Sequence, residues 1–220
     1  MKLNRKTYFV LMMLLFFIVS QIFILNSIAQ QLRISSNAQP QAVEYLQRAV
    51  NKMEEALATY QGANYPGRKL WAEAIDYAQI SIDIEPNFIE AHYYLAMMYQ
   101  HTGWFYREAV QWERYLELVQ QMDMASASPE AKQNLAHAYY RLGSNYYQKG
   151  DINKSFNYFL KSTEEYPDSI ESNYWLARVY YETGDYNQAA HYYQQVLNLQ
   201  PGNEEARYWL RQSQLRLGGN

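Results

Sequence analysis

The sequence predicts an all-α fold: a solenoid of stacked helix hairpins, preceded by an N-terminal hydrophobic targeting helix. Three observations carry this. The C-terminal third superposes on itself when shifted by 34 positions. Within each unit the apolar residues recur at helical spacing. One long apolar run near the N-terminus has no counterpart elsewhere in the chain.

That run comes first. Lys2, Arg5 and Lys6 precede a nearly unbroken apolar stretch from Tyr8 to Leu25, interrupted by Ser20 and Gln21. Ser27, Ile28 and Ala29 then place small residues where a signal peptidase cuts, with Gln30 next. This order is the three-part plan of a secretory signal. Eighteen residues also reach the lower limit for a spanning helix, so an uncleaved anchor is the alternative. A positive flank ahead of the run holds the N-terminus inside and sends the rest across. Either way residues 30–220 are expected beyond the cytoplasmic membrane. They are secreted or periplasmic if cleavage follows Ala29, and otherwise anchored through residues 8–25. Removing residues 1–29 takes away three cations and no acid, leaving a mildly acidic remainder. Residues 30–40 are polar and aperiodic, and read as a linker.

The repeat is sharpest from residue 136 onward. Leu142 falls on Leu176 and then Leu210, Tyr146-Tyr147 on Tyr180-Tyr181, Gly150-Asp151 on Gly184-Asp185, and Pro167 on Pro201. Leu176, Ala177 and Tyr180 form one helical stripe, and Ala189, Tyr193 and Val196 a second. Between them Gly184 can end a helix in the left-handed conformation and Asp185 can cap the next. Pro201 closes the unit.

With Leu-Gly/Ala, Tyr, Gly, Ala, aromatic, Ala and Pro at these offsets, the pattern resembles the tetratricopeptide repeat. Residues 136–169 carry Leu142, Gly143, Tyr146, Gly150, Ser155, Phe159, Ser162 and Pro167; residues 170–203 carry Leu176, Ala177, Tyr180, Gly184, Ala189, Tyr193, Val196 and Pro201. Residues 89–121 match through Leu95, Ala96, Tyr99, Gly103 and Ala109, with one extra residue read into the turn. Ser128-Pro129-Glu130 predicts the start of an unusually long helix, because serine caps and proline suits the first helical position. The first unit, about 41–86, uses Ala56, Leu57 and Tyr60, then Ala74, Ala78, Ser81 and Pro86, around an expanded 62–69 turn. A capping helix at 204–217 places Leu210 in the core. The resemblance thus implies a right-handed α-solenoid over 41–217.

The resemblance also implies a non-enzymatic protein-interaction scaffold whose first helices line a concave groove for a peptide or partner protein. By family offsets the leading groove positions are Tyr93, Tyr140, Tyr174 and Tyr208. Met97, Ser144, Arg178 and Gln212 follow four residues on, and Gln100, Tyr147 and Tyr181 three further. The expected protein-binding set is Tyr93, Met97, Tyr140, Tyr147, Tyr174, Arg178, Tyr181 and Tyr208. Tyrosines with free hydroxyls could stack on and hydrogen-bond to an extended peptide. They could equally pack adjacent repeats. Arg178 beside Tyr181 could receive a carboxylate, or stand as a solvated charge. Some family members hold chaperone C-termini through groove Lys, Arg and Asn side chains, and tyrosines or neutral residues replace most of these here.

Other chemistries find little support. With 19 Lys+Arg against 22 Asp+Glu and no basic stretch after the N-terminus, no nucleic-acid footprint exists. The absence of cysteine removes disulfides and thiolate chemistry. His92, His101, His137 and His191 form no metal motif. The adjacent acids Glu54-Glu55 and Glu164-Glu165 diverge around their helices. No phosphate loop or nucleophile elbow appears, and no cofactor or metal is expected. Asn153-Lys154-Ser155 is a weak glycosylation match. The alternative function is a structural, self-associating repeat protein or an accessory subunit of an envelope complex.

Overall fold

A computed structural model describes residues 38–60, 64–122 and 128–218. The targeting segment, most of the linker and residues 123–127 lie outside the described residues. Among the described residues no helix is long and apolar enough to cross a membrane.

The elements are α1 (Pro40–Thr59), α2 (Lys69–Ile84), α3 (Ile89–His101), α4 (Phe105–Val119), α5 (Pro129–Gln148), α6 (Ile152–Glu165), α7 (Ile170–Glu182), α8 (Tyr186–Leu199) and α9 (Glu204–Gly218). Each packs mainly on its neighbours in sequence, the arrangement of a helical solenoid. Odd-numbered helices are the first of each hairpin and even-numbered helices the second. One apolar cluster spans α1 to α3, the next α3 to α5, and two more join α5 through α9.

Local chemistry sets the tight hairpins. After α5 the chain turns on Gly150, at φ +79°. Its N–H donates to the carbonyl of Tyr147, and the N–H of Asp151 donates to that of Tyr146. This is a Schellman turn, which satisfies carbonyls that the helix end would leave bare. Asp151 then caps α6, accepting from the N–H of Lys154 at 3.1 Å. Gly184 and Asp185 repeat every part, with Asp185 accepting from Gln188 at 3.1 Å. Such caps stabilise a helix by about 1 kcal/mol each. Ser128 caps α5 through the N–H of Ala131, with Pro129 at the first helical position. That long helix is the predicted one.

Two expectations fail. The turn after Gly103 contains no extra residue. Gly103 and the N–H of Trp104 make the same Schellman bonds, and α4 begins at Phe105, directly after Trp104. Counted from the helix start, Glu108 therefore stands where α6 has Ser155 and α8 has Ala189. Trp112 stands at Phe159 and Tyr193. A charged residue at a small-residue position made the register look shifted by one.

The first hairpin is also set differently. Ser81 Oγ donates to the carbonyl of Ala42, as Ser162 Oγ does to that of Ala136. Tyr45 meets Tyr77 at 6.2 Å and Tyr139 meets Tyr158 at 6.3 Å. By these matches Ala49 takes the place of Gly143. The buried stripe of α1 is Ala42, Leu46, Ala49, Val50, Met53 and Ala56. Leu57, expected in the core, is exposed, because α1 runs five residues beyond the segment that matches α5. In α2 the expected Ala74, Ala78 and Ser81 are buried, together with Trp71.

Repeat equivalence reaches ring geometry. Tyr146 stacks on Tyr158 with centroids 5.5 Å apart and planes 13° from parallel; Tyr180 stacks on Tyr192 at 5.6 Å and 11°. The Asn153 glycosylation pattern lies within α6, where Ser155 is fully buried.

Candidate functional site

The site is built from one recurring position. The residue after each leading tyrosine (Tyr94, Arg141, Trp175, Trp209) reaches toward the preceding hairpin. Trp175 of α7 meets Tyr147 of α5 edge-on at 5.0 Å and 66°, and stacks on Phe159 of α6 at 6.1 Å. One repeat later Trp209 of α9 meets Tyr181 of α7 at 5.1 Å and 66°. These two joints set successive first helices side by side and leave a cleft between them.

The cleft encloses about 590 Å³ and is lined by Tyr147, Ile170, Glu171, Tyr174, Trp175, Arg178, Gln200, Asn203 and Glu205. Of the eight residues expected at the groove it brings together Tyr147, Tyr174 and Arg178. The remaining five lie elsewhere. Tyr93 is wedged among Tyr94, Trp112 and Tyr115, with ring centroids 5.3–5.6 Å apart. Met97 packs into the clusters on both sides of α3. Tyr140 lies between His137 and Phe159. Tyr181 is held by Tyr186 and Trp209. Tyr208 is 56% exposed and touches Trp209 edge-on.

The expectation of free hydroxyls fails at three of these tyrosines. Tyr93 donates to Asn134 Oδ1 at 3.1 Å, Tyr147 to Glu182 Oε1 and Tyr174 to Glu205 Oε1, both at 2.5 Å. Half-buried phenols need such acceptors, because stripping water from an unpaired hydroxyl costs free energy. Burial pushes the Tyr93 phenol up to about 12. Tyr174 also rises, first from burial and then from its bond to Glu205. Arg178 is likewise committed. Its Nε donates to Glu182 Oε1 at 2.8 Å and its guanidinium lies over Trp209 at 4.1 Å. Glu182, one helical turn away, already supplies Arg178 with a carboxylate partner.

Beneath the cleft Tyr193 is fully buried and packs against Tyr174 at 5.7 Å. Its phenol is driven up by burial first, then by Tyr174 and the carboxylates of Glu182 and Glu205, with the Arg178 charge opposing them.

Sequence reasoning passed over Glu171, Trp175 and Glu205. Their signal was present: Glu171 falls on Glu205, and Trp175 on Trp209, at the 34-residue shift. It also missed the joint between α4 and α5. There Arg141 takes the tryptophan position and donates to Glu108 from Nε at 2.6 Å and Nη2 at 3.0 Å. Glu108, 3% exposed, also accepts from Trp112 Nε1 at 3.1 Å. The histidines serve structure. His92 bonds Gln111 and the carbonyl of Pro86, and His137 bonds Gln100 at 3.2 Å while meeting Trp112 edge-on. Burial, then the Arg141 charge, lowers His137 to about 4. Among the described residues no three His, Asp or Glu side chains converge to hold a metal ion.

Residues 136–169 match the Tetratricopeptide repeat family, and residues 156–219 match the family described as Anaphase-promoting complex, cyclosome, subunit 3. No curated protein sequence matches the chain. Among solved structures, the MamA protein superposes with a TM-score of 0.61 at 17% identity, covering 81% of this chain and 83% of that one. A second MamA structure, AMB-1 in crystal form P212121, gives 0.58 at 16% identity over 80% and 82%. The APC/C hetero-tetramer Cut9-Hcn1 gives 0.59 at 14% identity over 80% of this chain and 30% of that one. At such identities the likeness concerns fold alone. The repeat matches over residues 136–169 and 156–219, the hairpin geometry and the fold likeness together show a helical solenoid with tetratricopeptide-type repeats in its C-terminal part.

Proposed function

We propose that this chain is a non-enzymatic scaffold acting outside the cytoplasmic membrane, where its C-terminal first helices bind a segment of a partner protein. The supporting observation is the cleft itself. Two like aromatic joints, at Trp175 and Trp209, flank a recess that no described residue fills. Its walls come from rigid, closely packed helices, so little ordering cost attends binding. Solenoids characteristically use such extended surfaces to bind. The apolar run at 8–25 and its positive flank support the extracytoplasmic placement.

A photo-crosslinking residue placed at Gln200 in native membranes tests this. Gln200 lines the cleft and is exposed, and its side chain accepts one exposed hydrogen bond from Asn203. A discrete partner adduct is expected from position 200 and none from Asn157, exposed on α6 away from the cleft. Equal labelling from both positions, or none from 200, would contradict the reading.

A second reading, self-association through the end of the array, is favoured by exposed apolar residues there. Leu199, Leu215 and Leu217 are 38%, 58% and 40% exposed. Light scattering decides it: a monomer over a wide concentration range excludes this reading.

A further inference from the structure

We propose that the cleft between α5, α7 and the start of α9 takes a lysine or arginine side chain of a bound basic peptide segment. This rests on the scaffold reading of the same site and adds the chemistry of the partner. The first argument is the wall. Tyr147, Tyr174 and Trp175 line the recess, and aromatic faces attract a cation through their quadrupoles. The second is charge. Glu171 and Glu205 line the same recess, and among the described residues neither forms an ion pair. The one arginine in the lining, Arg178, is paired with Glu182 and lies over the Trp209 ring. The recess therefore presents two carboxylates and no uncommitted cation, so it welcomes positive groups and repels carboxylates. The protein already places a cation on an aromatic face beside it, in Arg178 over Trp209.

The test uses the full chain in detergent micelles and three fluorescein-labelled Gly/Ser nonapeptides, carrying three lysines, three glutamates or no charge. Fluorescence anisotropy should show the lysine peptide binding most tightly. Glu171→Gln combined with Glu205→Gln should weaken it about tenfold, two modest ion pairs being lost together. Glu44→Gln combined with Asp76→Asn removes the same charge far from the cleft and should leave binding unchanged. Equal weakening by both double variants would mean diffuse attraction and overturn the proposal. Glutamate or neutral peptides binding as well as lysine would overturn it too, yet leave the scaffold reading intact if crosslinks from position 200 persist. Failure of every peptide together with loss of those crosslinks would remove both. Self-association abolished by E171Q/E205Q would assign the cleft to a second copy and also overturn it.

Discussion

The joint between α4 and α5 and the joint between α6 and α7 occupy the same place in the repeat and are held by opposite chemistry. In the first, Arg141 forms a two-point ion pair with Glu108, which also accepts the indole N–H of Trp112. In the second, Trp175 packs against Phe159 and Tyr147. The aromatic joint is non-directional and tolerates a neighbouring recess. The ionic joint requires a carboxylate at a position where the following hairpins use serine or alanine. Repeat geometry thus constrains volume and direction while leaving the chemistry of each junction open, and the candidate cleft occurs beside the aromatic joints.

The largest effect should come from breaking the ionic joint. Arg141→Ala strands a buried carboxylate and should cost about 3–5 kcal/mol in chemical denaturation. Adding Glu108→Gln, which still accepts from Trp112, with Met at 141 should recover most of this. Should R141A cost no more than Trp175→Ala, expected at about 2–3 kcal/mol for a partly buried aromatic, the contrast between the joints would collapse.

The ionic joint should also be the acid-sensitive one. His137, beside Arg141, has its folded value lowered from 6.5 to about 4. Between those values the unfolded chain takes up a proton that the folded chain refuses. Stability is therefore full above pH 6.5 and falls as pH drops through that window, by roughly 2–3 kcal/mol. Denaturation midpoints at pH 7 and 4.5 should converge for His137→Gln relative to the parent. An unchanged difference would remove His137 from the account.

A smaller effect is expected at Gly143. A Cβ there would meet Phe159 Cδ1 at 2.6 Å, so Gly143→Ala should cost about 1–2 kcal/mol through overpacking. Phe159→Leu in the same chain should relieve part of it. The smallest is Tyr174→Phe. It deletes one exposed hydrogen bond to Glu205 and should shift stability by about 0.5–1 kcal/mol.

The sequence was most legible where structure is local. Gly150-Asp151 and Gly184-Asp185 announced their turns and caps, since both depend on residues a few positions apart. Ser128-Pro129 did the same for α5. Legibility failed where a residue's role is set by another hairpin. Glu108 looks misplaced until Arg141 is brought beside it from 33 positions away. The first hairpin's register depends on which turn of α1 meets α2, and α1 has several similar alanine turns. At the site, family offsets pointed to first helices that border the cleft, and Tyr147, Tyr174 and Arg178 line it. The hydroxyls of Tyr147 and Tyr174 were expected to be free, but Glu182 and Glu205 take them across a repeat boundary. Glu171 and Trp175 carried a readable 34-residue echo, but their place at the cleft is set by contacts with α5 and by residues 200–205, which periodicity within one hairpin does not show.

The most direct test of the central claim is hydrogen exchange on the full chain, free and bound to the partner captured from position 200. Protection confined to 140–148, 170–182 and 200–212 is the predicted result, matching the helices and turn around the cleft. Protection centred instead on exposed Trp104, Phe105 and Tyr106 at the start of α4, or on α1 and α2, would contradict it.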